Sequence, residues 1–214
     1  MDKIYIYEIL KLLKKAYPDA KVVLNHTNPL EILVSTILSA QCTDTRVNSV
    51  TRTLFRKYKT VEDYANADIK TFEQEIRSTG FYHNKAKNII SAAKKILKEF
   101  NGKIPDSMEK LTQLPGVARK TANIVLFNGF NKVEGIAVDT HVRRLSQRLG
   151  LSKSDDPNKI EQDLMGLLDK KEWGRFNYLL VEHGRKICNA KKPKCFDCVL
   201  RNLCPSRNIF YPEK

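Results

Sequence analysis

The stretch LPGVARKTANIVL at residues 114–126 carries the strongest indication of the fold. An apolar segment leads into a Pro-Gly corner, and apolar residues at helical spacing follow it. Pro115 ends the incoming helix because it has no N–H, and Gly116 permits a tight backbone path. The stretch therefore predicts two helices joined by a short hairpin, over about residues 108–128, with Lys120 at the start of the second helix.

The hairpin has two interpretations. Its second helix begins with backbone N–H groups that point outward, and with the helix dipole they attract a phosphate. Such a hairpin can hold a nucleic-acid backbone without reading its base sequence. The same turn is also an ordinary connection between two helices, and the turn alone leaves both interpretations open.

Lys120 likewise has two interpretations, a solvated or phosphate-contacting cation and a nucleophile. A lysine amine is protonated in neutral water, so a nucleophile needs surroundings that favour the neutral form. The helix N-terminus and the neighbouring charge of Arg119 both act in that direction. Further on, Asp139 precedes an amphipathic helix in GIAVDTHVRRLSQRL, where it is expected to act as the N-cap and as a rigidly held carboxylate.

The rest of the chain predicts helices. Asn28, Pro29 and Glu31 form a helix-start signal, and LEILVSTILSA at 30–40 is apolar enough for a central buried helix. Asp106 and Glu109 are expected to cap a later helix. Strand signals at 20–24 and 136–138 are too short to build a sheet, so the chain is predicted to be all-α.

The charge balance points to a polyanionic partner. The 214 residues carry a formal net charge of +14, and nucleic acid is the partner that so large an excess favours. No segment is long and apolar enough to span a membrane, and the N-terminus lacks a signal-peptide pattern. We therefore expect a monomeric protein in the cytoplasm, associated with the nucleoid.

Four of the five cysteines lie close together near the C-terminus. Cys188, Cys195, Cys198 and Cys204 have the spacing C-x6-C-x2-C-x5-C. Clustered thiols in a reducing compartment indicate metal ligation, and this spacing alone allows zinc or a [4Fe–4S] cluster. Between the first two cysteines lies the basic loop (residues 189–194), which holds lysines and no acidic residue.

Together these motifs resemble the endonuclease III family of DNA glycosylases and AP lyases. LPGVARKTANIVL followed by AVDTHVRRL resembles the family's helix-hairpin-helix and Gly/Pro-Asp signature, and LSAQCTD (38–44) and TGFYHNKAKNI (79–89) resemble its other segments. The four-cysteine spacing matches the family's [4Fe–4S] loop. Ala118 departs from the glycine that many members have in the hairpin, but alanine is small enough to preserve phosphate binding.

The resemblance implies a fold of two helical domains with a DNA-binding groove between them. One is a six-helix domain over 22–131 that contains the hairpin, and the other is an iron–sulfur cluster domain formed by 1–21 and 132–214. It also implies a bifunctional enzyme of base excision repair, which removes oxidised pyrimidines and then cleaves the strand 3′ to the abasic site. A lysine at position 120 is the residue typical of such bifunctional members.

The resemblance assigns roles to individual residues as well. Lys120 would be the nucleophile that forms a Schiff base, and Asp139 would stabilise the cationic sugar or assist proton transfer. Gln41 and Phe81 would fill the space left by a flipped nucleotide. Further expected DNA contacts are Leu114, Gly116, Ala118, Arg119, His141, Lys191, Lys192 and Lys194.

Three alternatives remain open at this stage. The chain could be a mismatch-directed glycosylase that removes an intact base, although Lys120 argues against a monofunctional version. It could be a non-catalytic DNA-binding module in which the hairpin and basic loop only hold the backbone. Zinc in place of the cluster would make it a zinc-stabilised nucleic-acid binder. Gln41 and Phe81 could also be ordinary buried residues.

Overall fold

The computed structural model describes residues 3–210, and within them the secondary structure is helical, with turns and loops and no strand. The all-α prediction is confirmed. The α-helices are α1 (Lys3–Ala16), α2 (Pro29–Leu38), α3 (Asp44–Lys57), α4 (Val61–Ala65), α5 (Ile69–Ile76), α6 (Tyr82–Phe100), α7 (Met108–Leu111), α8 (Arg119–Phe130), α9 (Thr140–Arg148), α10 (Pro157–Leu167), α11 (Lys170–Lys186) and α12 (Arg207–Phe210). Arg77–Thr79 and Cys195–Asp197 form single 3-10 turns.

The chain forms two compact units. The continuous unit is Val23–Glu134, and the discontinuous unit combines the chain up to Val22 with the chain from Gly135 onwards. Helices α2 to α8 lie in the continuous unit, which gives seven α-helices among the described residues where six were expected. The difference comes from very short helices, since α4 has five residues and α7 has four.

Local capping explains several helix starts. Asn28 accepts a hydrogen bond from the Glu31 N–H at 3.0 Å, with Pro29 at the first helical position, so the predicted start of α2 is confirmed. The Glu31 carboxylate in turn accepts from the Thr27 N–H at 2.6 Å. The expected cap by Asp106 is wrong, because α7 begins after Ser107.

Asp106 has a different partner in the continuous unit. Its carboxylate accepts a hydrogen bond from Lys132 Nζ at 2.6 Å. The ion pair joins the segment before α7 to the segment after α8, so it closes the base of the hairpin. Both side chains are about half exposed, and a pair in such a position contributes little stability by itself.

The core of the continuous unit is organised around α2. Every residue from 32 to 38 is buried, which confirms the predicted central helix, and α2 packs against α8 and α6. Tyr58 at the end of α3 forms an aromatic cluster with Tyr64 of α4 and Phe72 of α5, with ring centroids 5.1 to 5.9 Å apart. Burial of this apolar surface is the main stabilising contribution to the unit.

The discontinuous unit has its own core. Ile6, Ile9 and Leu13 of α1 are fully buried, and α1 packs against α11, which also packs against α9. The sulfur-bearing side chains of Cys188, Cys198 and Cys204 pack against the edge of this core. Within residues 3–210, no helix is both long and apolar enough to cross a membrane.

Candidate active site and cysteine cavity

The hairpin lies between α7 and α8. Gly116 has φ of +79°, a left-handed conformation that glycine adopts without strain. The Val117 N–H donates to the Leu114 carbonyl oxygen at 3.1 Å, which closes the turn. Ala118 is the N-cap of α8 and provides no side-chain hydrogen bond, because a methyl group cannot accept one. Asn28 and Asp139 cap α2 and α9 with their side chains, but no side chain does this for α8. A phosphate can occupy the place of such a cap.

Lys120 is the second residue of α8, as the sequence predicts, and its side chain is exposed. Arg119 beside it is also exposed, so two cations stand at this helix N-terminus. An exposed amine on a rigid first turn can reach a DNA sugar that approaches the hairpin.

Asp139 is the N-cap of α9, which confirms the predicted cap. Its Oδ1 accepts a hydrogen bond from the Val142 N–H at 2.8 Å. Two buried side chains hold the segment that precedes it: Glu161 accepts from the Ile136 N–H at 3.1 Å, and Asn177 donates to the Ala137 carbonyl at 2.6 Å. The carboxylate is therefore fixed from both sides in the discontinuous unit.

Gln41 and Phe81 lie at exposed loop positions of the continuous unit. Phe81 is 63% exposed, and Gln41 is exposed as well, so neither is an ordinary core residue. Both adopt left-handed backbone conformations, with φ of 51° for Gln41 and 48° for Phe81. Such conformations are uncommon for residues other than glycine and concentrate at functional sites.

Two expected DNA contacts occupy less accessible positions. Leu114 is only 2% exposed and packs in the core, and its N–H and C=O are both used within the hairpin, so its DNA contact stays a prediction. His141 is half-buried, and its Nδ1 lies 3.2 Å from Arg144 Nη2. Because a guanidinium only donates, His141 Nδ1 is the acceptor in this contact.

The four clustered cysteines line one cavity in the discontinuous unit, together with apolar side chains that include Leu145, Leu149, Ile187 and Leu200. No disulfide joins them. Among residues 3–210, no group of three or more His, Cys, Asp or Glu side chains is arranged to hold a metal ion. Burial, followed by the other cysteines, raises the pKa of Cys198 to about 11, and a bound cation would reverse this by stabilising the thiolate.

Two nitrogen-bearing side chains face the cysteine sulfurs, and neither was predicted from the sequence. Arg148 Nη1 donates to Cys188 Sγ at 3.3 Å, and His183 Nε2 lies 3.4 Å from Cys198 Sγ. Burial lowers the pKa of His183 to about 4, so its ring is neutral at pH 7. Tyr17 OH lies 2.9 Å from Nδ1, and because a hydroxyl and a thiol can each donate or accept, both neutral tautomers of His183 satisfy these two contacts.

Arg148 also ties down the basic loop. It donates to the carbonyl oxygens of Asn189 and Ala190, both at 2.8 Å. The spacing of Arg144 and Arg148, four residues apart on one face of α9, is the sequence signal that could have revealed this role. Donors of this kind suit an anionic metal–sulfur centre.

Comparison with known proteins agrees with this architecture. The family described as HhH-GPD superfamily base excision DNA repair protein matches residues 34–170. Endonuclease III of Synechocystis sp. is 53% identical over 199 residues, which cover 93% of this chain and 91% of the relative. A solved non-covalent endonuclease III–DNA complex is 42% identical, with a TM-score of 0.93 and 98% of each chain covered. A trapped endonuclease III–DNA covalent intermediate gives the same values.

The helical units and the uncapped hairpin define a helix-hairpin-helix protein of base excision repair. Within that class, the chain belongs to the endonuclease III family and is a DNA glycosylase and AP lyase. The resemblance read from the sequence is confirmed, and the non-catalytic and mismatch-directed alternatives are not favoured.

Proposed function

We propose that this protein removes oxidised pyrimidines from double-stranded DNA and then cleaves the strand 3′ to the resulting abasic site. It would act on chromosomal DNA in the cytoplasm, as a monomer. The observation that carries the proposal is an exposed Lys120 on the first turn of α8, directly after an uncapped hairpin. A 42% identical relative has been trapped as a covalent intermediate with DNA, which supports a covalent mechanism for this chain.

The damaged nucleotide must first leave the duplex, because its sugar cannot be attacked within the base stack. Unstacking costs a few kcal/mol, which protein side chains that enter the vacated space help to offset. Gln41 and Phe81 suit this role, because both are exposed and Phe81 offers a ring that can stack between bases. Gly116, Ala118 and Arg119 would hold the backbone phosphate next to the flipped nucleotide.

The chemistry begins when the neutral Lys120 amine attacks the sugar C1′. A C–N bond forms while the glycosidic C–N bond breaks, and the base leaves with the bonding electron pair and takes up a proton. The C1′–O4′ bond then breaks, O4′ keeps the electron pair and takes up the proton that the nitrogen loses, and a protonated imine joins Lys120 to C1′. Loss of a C2′ proton then sends an electron pair toward C3′, and the 3′ phosphate departs by β-elimination. Water hydrolyses the imine and restores the amine.

Asp139 would stabilise the positive charge that develops on the sugar, or accept a proton during the elimination. Its carboxylate is held by the cap bond to Val142, so little reorganisation is needed when the charge appears. His141 would contribute a contact to the phosphate or the nucleotide pocket through the part of its ring that stays accessible.

Cys188, Cys195, Cys198 and Cys204 would hold a [4Fe–4S] cluster, which makes the discontinuous unit the cluster domain and the continuous unit the hairpin domain. Four thiols line one apolar-walled cavity, and Arg148 and His183 face two of the sulfurs, so the residue types match the ligand set of such a cluster. When bound, the cluster supplies a rigid cross-link of the loop. Iron analysis and visible absorption of the purified protein test this, and stoichiometric zinc without absorption would contradict it.

Lys191, Lys192 and Lys194 of the basic loop would contact phosphates of the DNA. Arg148 fixes the start of this loop through two backbone carbonyls, so the lysines project from an anchored segment. Contacts of this kind strengthen binding to any sequence and make it sensitive to salt.

Borohydride reduction tests the lyase proposal directly, because it converts the imine into a stable amine bond. The protein is mixed with a duplex that holds one abasic site, and the covalent adduct is measured on a denaturing gel. We expect an adduct with wild type and with Lys110→Ala, which removes another exposed lysine of the hairpin, and none with Lys120→Ala.

A wild-type protein that binds the duplex without forming an adduct would refute the lyase activity. Parallel duplexes with a ring-oxidised pyrimidine, a mismatched pair or an intact pair test the substrate class. Release of the oxidised pyrimidine only is the expected result, and preferential release from the mismatch would instead support a mismatch-directed glycosylase.

A further inference from the structure

Lys85 is a lysine that the proposed chemistry does not use. It lies in the first turn of α6, and its side chain is only 4% exposed. A buried ammonium at a helix N-terminus is unfavourable both for its lost hydration and for the helix dipole. Its burial lowers the pKa of Lys85, and the neighbouring Cys42 raises it by a smaller amount. Such a placement requires strong compensating contacts.

Those contacts come from two separate segments, the end of α2 and the 3-10 turn before α6. Lys85 Nζ donates to the Leu38 carbonyl oxygen and to the Thr79 carbonyl oxygen, each at 2.8 Å. Leu38 is the last residue of α2, where unpaired carbonyls and the negative end of the helix dipole favour a cation. Thr79 is the last residue of the 3-10 turn that precedes Gly80 and Phe81.

Both bonded carbonyls stand just before an exposed residue with a left-handed backbone. Leu38 lies three residues before Gln41, and Thr79 lies two residues before Phe81. The Lys85 backbone N–H also donates to the Phe81 carbonyl at 3.1 Å, so the lysine holds the Phe81 loop on both sides. Because one ammonium bonds both carbonyls, their oxygens cannot lie further apart than two hydrogen-bond lengths.

We propose that Lys85 is a positioning residue that couples the Gln41 loop to the Phe81 loop, so that the two side chains enter a DNA duplex as one preformed unit. The inference rests on the proposed function, since it assumes that these residues fill the space of a flipped nucleotide. It adds a buried cation that sets the geometry of this pair without touching the DNA. Left-handed conformations persist only where surrounding contacts hold them, and Lys85 anchors the residues that lead into both.

The test compares Lys85→Met, which keeps the length and apolar character of the side chain, with Lys94→Met, which removes an exposed lysine from the same helix. Affinity is measured for a duplex with a tetrahydrofuran abasic analogue and for the same duplex undamaged. We expect Lys85→Met to reduce the ratio of the two affinities roughly tenfold, as loss of one strong hydrogen bond would. Lys94→Met is expected to leave the ratio unchanged.

A double-mutant cycle of Gln41→Ala and Phe81→Ala gives a reading that general destabilisation would not change. In the wild-type background we expect the two substitutions to be non-additive in their effect on the affinity ratio, since the loops act together. In the Lys85→Met background we expect them to become additive. Lys85→Arg retains donors for both carbonyls and should restore most of the ratio. Lys85→Gln takes the place of Lys85→Met if that variant does not fold.

The outcomes distinguish failure of the proposed function from failure of the role proposed for Lys85. If wild type shows no preference for the abasic analogue and no borohydride adduct, the proposed function fails, and this inference with it. If wild type discriminates and forms the adduct, but folded Lys85→Met or Lys85→Gln discriminates equally well, the coupling role of Lys85 is refuted while the proposed function stands.

Discussion

Replacement of Gly116 by alanine tests the structure of the hairpin. A Cβ added to Gly116 would lie 2.9 Å from Asn88 Cβ and 3.0 Å from Asn88 Nδ2, both closer than side-chain contacts normally allow. The nearest atom is the first side-chain carbon of a residue in α6, which cannot rotate away. The φ of +79° adds backbone strain, because L-residues with a side chain rarely adopt it.

The two contributions give the expected magnitude. A left-handed backbone costs an alanine about 1–2 kcal/mol, and insertion of a methyl group into a filled space costs about 1–3 kcal/mol. We therefore expect Gly116→Ala to lower the free energy of unfolding by roughly 2–5 kcal/mol. Asn88→Ala should relieve little of this, because alanine keeps the Cβ at the closest contact.

Asn88→Gly supplies the sharper test, since it removes that Cβ. By itself it should cost about 1 kcal/mol as a glycine within a helix. Combined with Gly116→Ala, it should recover the steric part, so that the double variant is more stable than the sum of the single effects by about 1–3 kcal/mol.

Urea unfolding followed by circular dichroism measures these differences. Gly166→Ala is the matched control, because Gly166 lies in the last turn of α10 and its added Cβ meets nothing within 4 Å. That variant should gain about 0.5–1 kcal/mol. If the unfolding free energy of Gly116→Ala stays within about 0.5 kcal/mol of wild type, or if Asn88→Gly recovers none of the loss, the close contact between residue 116 and Asn88 is refuted.

Three further predictions concern other parts of the molecule. Asn177→Leu leaves the buried carbonyl of Ala137 without its partner and should lower unfolding free energy by about 1–3 kcal/mol, and a loss under 0.5 kcal/mol would contradict the role of this bond. The Asp63 carboxylate belongs to the capping box of α4, and the backbone N–H groups of Thr60 and Lys59 lower its pKa, so its stabilisation is lost as pH falls through that lowered value. Asp63→Asn should thus destabilise more at pH 7 than at acidic pH, and an effect that does not shrink as pH falls would refute the cap. Substitution of the three basic-loop lysines by alanine should reduce the slope of log affinity against log salt by roughly 2–3, with the preference for damaged DNA unchanged; an unchanged slope would place the loop away from DNA.

Much of the fold could be predicted because its signals are local. The caps at Asn28 and Asp139 involve residues three positions apart, so the sequence order alone brings the partners together. The position of Lys120 in the first turn of α8 follows from the Pro-Gly corner just before it. The burial of α2 follows from an apolar composition that no solvated helix would have.

Where several local signals competed, the prediction was less accurate. Asp106, Ser107 and Glu109 all suit a helix start, and α7 begins after Ser107 because Asp106 pairs with Lys132, far along the chain. Leu114 belongs to the same motif as the exposed hairpin residues, yet the packing of the hairpin against the continuous unit buries it. Sequence proximity to a site does not show which face a side chain occupies.

The sequence by itself thus determined the helical class, the main helix starts and the grouping of four cysteines, because each depends on residue type and short spacing. Only the tertiary structure decided which polar groups meet across long separations. Lys85 contacts a carbonyl 47 positions away, and His183 meets both Tyr17 and Cys198. Such contacts form when packing brings distant segments together, and their stabilisation comes from burial that no local pattern specifies.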